Sequence, residues 1–182
     1  MRSGEARGSL LEVLDLTQTP MGARLLRRRI SQPLLDINAI NHRLDAVDLF
    51  YNDSPRRILV RDLIKGLGDL ERWSTRAVSQ AAVPRDLVGI CTVLERLPAL
   101  HETLGADATA LLGLNSADLV PVAALYNLLT AALADDAPAN LAHPGIIRDG
   151  YSAELDDLVQ RSRHAKDWIA TLERTERERL DI

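Results

Sequence analysis

Apolar residues recur at helical spacing along most of the chain, and short polar or proline-containing stretches separate these stripes. The stripe of Met21, Leu25, Leu26 and Ile30 is typical, because its spacing keeps the four side chains near one face of a helix. Serine, threonine or aspartate precedes most stripes and can accept hydrogen bonds from the unpaired amides of a first helical turn. The pattern predicts helices that begin near Ser9, Thr19, Asp36, Ser54, Asp69, Val83 and Leu119.

Three features interrupt this regular pattern. Pro98 lies inside the stripe that begins at Val83 and is expected to kink that helix, since proline lacks the amide that a helix requires. The stripe then weakens into small and polar residues over 105–117. After the turn residues 143–145, the segment 146–151 is the one stretch that fits a short strand or hairpin.

The last part of the chain predicts one long helix. Ser152 can cap it, and the run to about Leu180 contains no proline or glycine, so at about 1.5 Å per residue it would be roughly 43 Å long. Acidic residues near its start and arginines near its end complement the helix dipole. Such a helix is longer than a small domain is wide, so we expect it to protrude.

Six residues of this long helix form an edge of aliphatic and small side chains, which we call the seam. Steps of three and four residues, as at the a and d positions of a coiled coil, separate its members: Leu155, Leu158, Ser162, Ala165, Ile169 and Leu172. A seam needs a facing helix, because burial of each large aliphatic side chain contributes about 1.5 to 3 kcal/mol. No such helix follows in the sequence, so we expect another chain to supply it or the chain to be a fragment.

Composition supports an all-α fold, a multi-helix bundle built mainly from aliphatic residues. A length of 182 residues fits one domain, and aromatic residues make up only 3% of the chain. No stretch is apolar enough for a membrane span or a signal peptide, and the lone Cys91 excludes an internal disulfide. We therefore expect a cytoplasmic protein with no membrane partner. The net charge of −4 provides no overall attraction for nucleic acid.

We find no residue pattern for catalysis, for a cofactor or for a metal ion. The sequence lacks the phosphate-binding motif GxxxxGK[ST], and no Ser, His and Asp set has the pattern of a nucleophile elbow. The histidines lie on separate predicted elements, whereas a zinc site needs ligands at close spacing: His42, His101, His143 and His164. The sequence therefore predicts neither an enzyme nor a resident cofactor.

One basic cluster is a candidate DNA contact. Arg24 lies one turn before the consecutive Arg27, Arg28 and Arg29, and several guanidiniums on one helix could bind DNA phosphates. A solvated helix face whose charges pair with acids elsewhere is the more common role of such a cluster.

A second polar group is a candidate structural junction. Opposite charges cluster across short connections between predicted helices, at Asp69, Glu71, Arg72, Arg85 and Asp86. Because buried polar groups normally find partners within the protein, we expect these residues to hold helices together and not to bind a ligand.

Several ordered segments resemble one known family, the lever and core region of the bacterial-type MutS DNA mismatch-repair proteins. The segments span nearly the whole chain and are Ser9–Asp15 (SLLEVLD), Thr17–Arg28 (TQTPMGARLLRR), Pro33-Leu34, Ile40–Val47 (INHRLDAV), Lys65–Arg72 (KGLGDLER), Pro84–Leu87 (PRDL) and Gly150–Leu158 (GYSAELDDL). Arg29 stands where this family often carries tryptophan. The stretch 105–140 matches only by its helical pattern.

The resemblance implies a division of labour in a larger parent protein. MutS proteins read a mismatch with an N-terminal domain, hold DNA with a clamp domain at the lever tip, and hydrolyse ATP with magnesium in a C-terminal domain. The parent is expected to be a homodimer. By this resemblance, residues 1–8 are a loop remnant, 9–151 a helical core domain, and 152–182 a lever helix that leads towards an absent clamp domain.

The leading hypothesis from the sequence is a structural and allosteric segment with no catalytic residue of its own. It would couple binding of mismatched duplex DNA to the distant ATPase, with the clamp and ATPase domains of the parent as its partners. One alternative is a stand-alone helical DNA-binding module that uses Arg24, Arg27, Arg28 and Arg29. Another is a helical scaffold that associates with itself through the seam.

Overall fold

A computed structural model describes residues 8–180 of the chain. The predicted loop at 1–8, apart from Gly8, and the last two residues of the predicted lever helix lie outside the described residues. Between residues 8 and 180 the chain forms eight α-helices and no β-strand, which confirms the all-α prediction. The helices are Leu10–Leu14 (α1), Pro20–Ser31 (α2), Ile37–Asn52 (α3), Ser54–Ile64 (α4), Leu70–Val78 (α5), Pro84–Leu111 (α6), Leu119–Ala132 (α7) and Ala153–Leu180 (α8).

Side-chain caps explain where the first five helices begin. Ser9, Thr19, Asp36, Asp53 and Asp69 each accept hydrogen bonds from first-turn amides, at 3.0 to 3.3 Å. Each cap satisfies a donor that has no partner within its own helix. The predicted helix starts are therefore confirmed at all five positions, with Asp53 as the cap of α4.

A small aliphatic core surrounds α6, which packs against α3, α4, α5 and α7. The buried apolar side chains come mostly from α6 and from the connections next to it: Leu67, Ile90, Val93, Leu94, Leu104, Ala108 and Leu133. No aromatic residue belongs to this buried set in the described part of the chain. The aliphatic core expected from the composition is therefore confirmed.

The break in α6 lies at Gly105 and not at Pro98. Gly105 has φ +74° and ψ 171°, a conformation that residues with a Cβ rarely adopt, whereas Pro98 lies in a helical part of α6. Pro98 keeps helical backbone angles, so the pronounced break lies at Gly105 and the kink expected at Pro98 stays a prediction. Helix α6 resumes after the break and ends at Leu111, so the weakened pattern after residue 105 marks a change of direction within α6.

Arg56 closes this break from the neighbouring helix α4. Its Nη1 atom donates to the carbonyl oxygen of Leu104 at 3.1 Å and to the carboxylate of Asp107 at 2.8 Å. A carbonyl beside a break lacks its usual helical partner, so the guanidinium replaces a lost hydrogen bond. This contact holds the pKa of Asp107 below its ordinary value, because a hydrogen bond from Arg56 favours the carboxylate.

The segment that leads into α8 is tied to the end of α7. Its extended part is a single antiparallel bridge between Leu133 and Ile147. The sequence predicts at most a short strand or hairpin in this segment, and the bridge is consistent with that. Beside the bridge, the Arg148 amide donates to the Ala132 carbonyl oxygen at 2.9 Å, and the Arg148 guanidinium lies 2.6 Å from the carboxylate of Asp135. The base of the long helix is therefore attached to the core.

Helix α8 is predicted correctly in start, length and exposure. The Oγ atom of Ser152 accepts from the Leu155 amide at 3.3 Å, and the helix then runs for 28 residues, or about 42 Å. All residues over 160–175 are exposed, and α8 has no extensive packing against another helix of the described chain. Helix α8 therefore stands clear of the bundle.

Trp73 fixes the contact between α5 and α6. Its ring lies directly against the backbone at Gly68 and Gly89. A Cβ placed on Gly89 would be only 2.5 Å from the ring atom Cη2, and one placed on Gly68 would be closer still. Both positions therefore require a residue without a side chain.

We expect Gly89→Ala to destabilise the chain by about 1 to 3 kcal/mol, as overpacking does. The sign of this stability change is informative, because alanine in a helix interior is normally favoured over glycine by about 1 kcal/mol. Urea denaturation would measure the change in the free energy of unfolding. The matched control is the same substitution in a Trp73→Leu background, where the smaller side chain should remove the penalty. A stabilising effect of Gly89→Ala alone would contradict the close packing.

Candidate functional site

The seam of α8 is exposed along its whole length. Its four large side chains are between 37% and 59% exposed, and Ser162 and Ala165 are exposed as well. Trp168, next to the seam, is 66% exposed. Isolated apolar side chains on a surface are common, but a continuous row on one helix face indicates a docking surface.

The seam has the same spacing in both directions along the helix. Steps of three and four alternate from either end, and the two small residues, Ser162 and Ala165, lie at its centre. An antiparallel helix with a similar row could place an aliphatic side chain opposite each large one, and small residues at the centre allow a close approach. The seam therefore suits a single facing helix, which can run in either direction.

Ion pairs within α8 support the helix where it has no neighbours. Arg161 lies 2.6 Å from Asp157, Arg177 lies 3.1 Å from Glu173, and Arg179 pairs with Glu176. Pairs at this spacing stabilise an isolated helix. They also use Arg177 and Arg179, near the end of α8, within the helix itself.

Arg24 forms the most extensive ion pair of the helical core. Its guanidinium donates to both carboxylate oxygens of Asp69, at 2.6 and 2.7 Å, and to Glu71 at 2.5 Å. These contacts raise the pKa of Arg24, and the hydrogen bond from Arg24 is the main reason why the pKa of Asp69 is lowered. The pair ties α2 to the start of α5.

The residues of the predicted junction therefore take separate roles. Asp69 and Glu71 pair with Arg24, and they do not pair with Arg72 or Arg85. Arg24 belongs to the candidate DNA contact Arg24, Arg27, Arg28 and Arg29, which we call the DNA-contact set. The Arg72 amide donates to Asp69 as part of the α5 cap, at 3.2 Å. Arg85 is exposed and makes no ion pair with any residue of 8–180.

Asp86 forms a second connection, between α5 and α6. It is buried, accepts from the Val83 amide at 2.9 Å, and lies 3.2 Å from Nε of Arg76. No local sequence pattern marks Arg76 as part of the junction, because Arg76 lies at the far end of α5 from the other charged residues. A buried carboxylate requires a cation or several donors, and that requirement is the signal that could have led to Arg76.

The other arginines of the DNA-contact set differ in their surroundings. Arg27 and Arg28 are exposed on α2. Arg29 faces a cleft between α2, α3, the start of α4 and the end of α6, which we call the basic cleft. The volume of the cleft is about 580 Å³, and its polar and aromatic lining consists of Arg29, His42, Arg43, Phe50, Tyr51 and Arg57.

Two kinds of functional feature are missing from the described part of the chain. Within residues 8–180, no three His, Cys, Asp or Glu side chains lie close enough together to bind a metal ion. None of the helices in that range combines the length and the hydropathy of a membrane span.

A comparison with protein families decides the family of the chain. The model of the family described as MutS domain III matches residues 1–180. The chain is a member of the MutS domain III family. The resemblance inferred from the sequence motifs is therefore confirmed.

Curated relatives support this membership over the full chain. The chain is 43% identical over 176 residues to the DNA mismatch repair protein MutS of Salinibacter ruber, which covers 96% of the chain and 19% of that relative. It is 38% and 39% identical to the MutS proteins of Caldanaerobacter subterraneus subsp. tengcongensis and Halothermothrix orenii, each over 100% of the chain and 21% and 20% of the relative. The chain therefore spans about a fifth of the length of these MutS relatives.

We expect Arg24→Gln to lower the stability of this MutS domain III chain at pH 7 and to have less effect in acid. The pKa of Asp69 is lowered on folding, so its contribution to stability is present above the pKa of the unfolded chain. That contribution is lost as the pH falls through the lowered pKa. Urea midpoints between pH 7 and about pH 3 would measure this change. Arg28→Gln is the control on the same helix. An equal loss in both variants, or one that does not change with pH, would argue against the ion pair.

Proposed function

We propose that this chain is the lever and core segment of a DNA mismatch-repair protein of the MutS kind. In this role the segment transmits displacement between a clamp domain that holds mismatched duplex DNA and a distant ATPase domain. ATP, magnesium and a homodimeric assembly belong to the parent protein in this proposal, and the segment itself performs no catalysis. Its MutS relatives, each named a DNA mismatch repair protein, support the repair role.

The observation that carries this proposal is the form of α8. A helix of about 42 Å leaves the bundle, is exposed over 160–175 and carries an uncovered seam. A continuous helix changes its length very little under load, because each residue is held by a backbone hydrogen bond. A displacement at the far end would therefore reach the base of the helix nearly undiminished.

The base of α8 is suited to pass such a displacement into the core. Arg148 and Asp135 connect the segment before α8 to the end of α7, and α7 packs against α6. Helix α6 in turn contacts α3, α4 and α5. Closely packed helices move as units, so a shift at α7 would be shared by the bundle.

The facing helix for the seam is, in this proposal, a segment of the parent protein that returns from the clamp. In this proposal the partner runs antiparallel to α8, because that is the direction of a segment that returns from the far end of the helix. Two helices joined along the seam would make a stiffer arm than α8 alone.

We expect His164→Pro in the full-length parent protein to reduce the stimulation of ATP hydrolysis by mismatched DNA and to leave basal hydrolysis unchanged. Position 164 is exposed at the middle of α8, and proline there removes a helix hydrogen bond and bends the helix. ATPase rates with and without mismatched duplex DNA would measure the coupling. His164→Ala is the matched control, because it alters the same side chain and keeps the helix. Full stimulation in the proline variant would contradict the lever role.

The alternative of a DNA-binding module has less support. Arg24, one of its four proposed contacts, is held by Asp69 and Glu71, and the arginines Arg161, Arg177 and Arg179 pair within α8. The net charge of the chain is −4. These features reduce the positive charge that a duplex could meet, while Arg27 and Arg28 on α2 stay exposed without an ion pair in the described chain.

We expect the isolated chain to show no salt-dependent binding to duplex DNA. A protein that neutralises six or more phosphates would lose at least about a thousandfold in affinity between about 50 and 200 mM salt. Fluorescence anisotropy of a labelled duplex would measure this dependence. Binding with such a slope, weakened by Arg27→Gln and Arg28→Gln, would favour the DNA-binding module over the lever.

A further inference from the structure

The basic cleft contains a concentration of positive charge that the lever role does not use. Arg29, Arg43 and Arg57 line it together with His42, and no carboxylate is among its lining residues. Within residues 8–180, neither Arg29 nor Arg43 makes an ion pair. The cleft therefore carries a local excess of positive charge within a chain whose net charge is −4.

The two unpaired guanidiniums line the same cleft, from α2 and from α3. The pKa of Arg29 is lowered, first by partial burial and then by the positive charges of Arg43 and Arg28. An anion between Arg29 and Arg43 would remove this repulsion and would accept hydrogen bonds from both groups. Phosphate suits such a position, because the planar guanidinium matches its oxygens.

Arg57 prepares the cleft for an anion in a different way. Its guanidinium donates to the carbonyl oxygens of Phe50 and Tyr51, at 2.6 and 3.1 Å, and to Oγ of Ser54 at 2.9 Å. These carbonyls belong to the last turn of α3, which would otherwise present the negative end of a helix dipole. Arg57 therefore covers groups that would repel an anion.

The remaining walls of the cleft are aromatic and aliphatic. Phe50 is half-buried and Tyr51 is 74% exposed, while Val47, Leu111 and Leu112 complete the lining. A volume of about 580 Å³ lies within the usual range for sites that bind small molecules. A flat ring could stack on Tyr51, as bases do on aromatic side chains of nucleic-acid-binding proteins.

We propose that the basic cleft binds a nucleoside monophosphate, with the phosphate between Arg29 and Arg43 and the base against Tyr51. The shared chemistry is a phosphate group attached to a planar base, which a free nucleotide or a single DNA strand can supply. We assign the free nucleotide, because the cleft is bounded by four helices and has the size of one small ligand. This inference does not depend on the lever function.

Isothermal titration of the complete 182-residue chain with deoxyadenosine monophosphate tests the proposal. We expect binding at least about tenfold tighter than that of inorganic phosphate or deoxyadenosine alone, since only the nucleotide engages both ends of the cleft. A short oligonucleotide without terminal phosphates should bind more weakly than the nucleotide.

Variants identify the contacts. Arg29→Gln and Arg43→Gln should each weaken nucleotide binding by about tenfold or more, while Arg28→Gln on the same helix should have little effect. Tyr51→Ala should weaken binding of the nucleotide and leave that of inorganic phosphate unchanged. Because Tyr51 is largely exposed, this variant should keep its fold, which circular dichroism would check.

Three results would overturn the proposal. The first is no nucleotide binding at about 1 mM, the weak end of specific affinity. The second is equal affinity for the nucleotide and for inorganic phosphate, which would leave the aromatic wall without a role. The third is tighter binding of the oligonucleotide, which would assign the cleft to a DNA strand.

Discussion

The packing of α6 against four other helices is the constraint on which the rest of the structure depends. The buried apolar side chains are few and aliphatic, and most of them belong to α6 or to the connections beside it. A core of this size provides limited hydrophobic stabilisation, so the helices around it need additional attachments. Arg56, Arg76 and Arg24 provide them, each by joining two helices through a carboxylate.

Features that depend on neighbouring residues were predictable from the sequence. The caps at Ser9, Thr19, Asp36 and Asp69 follow from hydrogen bonds within three residues, and α8 follows from an uninterrupted run of helix-forming residues. The break in α6 at Gly105 was not predicted, because the pattern there shows only weakened periodicity and does not reveal that Gly105 adopts a positive φ. Gly105 was visible in the sequence, but tertiary packing decides that it breaks the helix, as the hydrogen bond from Arg56 of α4 to the Leu104 carbonyl oxygen indicates.

The candidate sites were less accessible to sequence reasoning. Arg24 pairs with carboxylates 45 and 47 residues away, and no local pattern indicates such a partner. The basic cleft combines residues from four helices, so no single stretch of sequence contains its charge pattern. The seam is the exception, since its members lie on one helix and their spacing alone defines it. Which helix covers the seam depends on residues outside α8.

Asp69 serves α2 and α5 at the same time. Its carboxylate caps α5 through the Arg72 amide and holds the Arg24 guanidinium of α2. If α2 moved away from α5 and the carboxylate stayed with Arg24, the Arg72 amide would lose its acceptor and the first turn of α5 its terminal restraint. A rigid-body motion would thereby be converted into local fraying, in which amides of α5 exchange with solvent faster than those of the surrounding bundle.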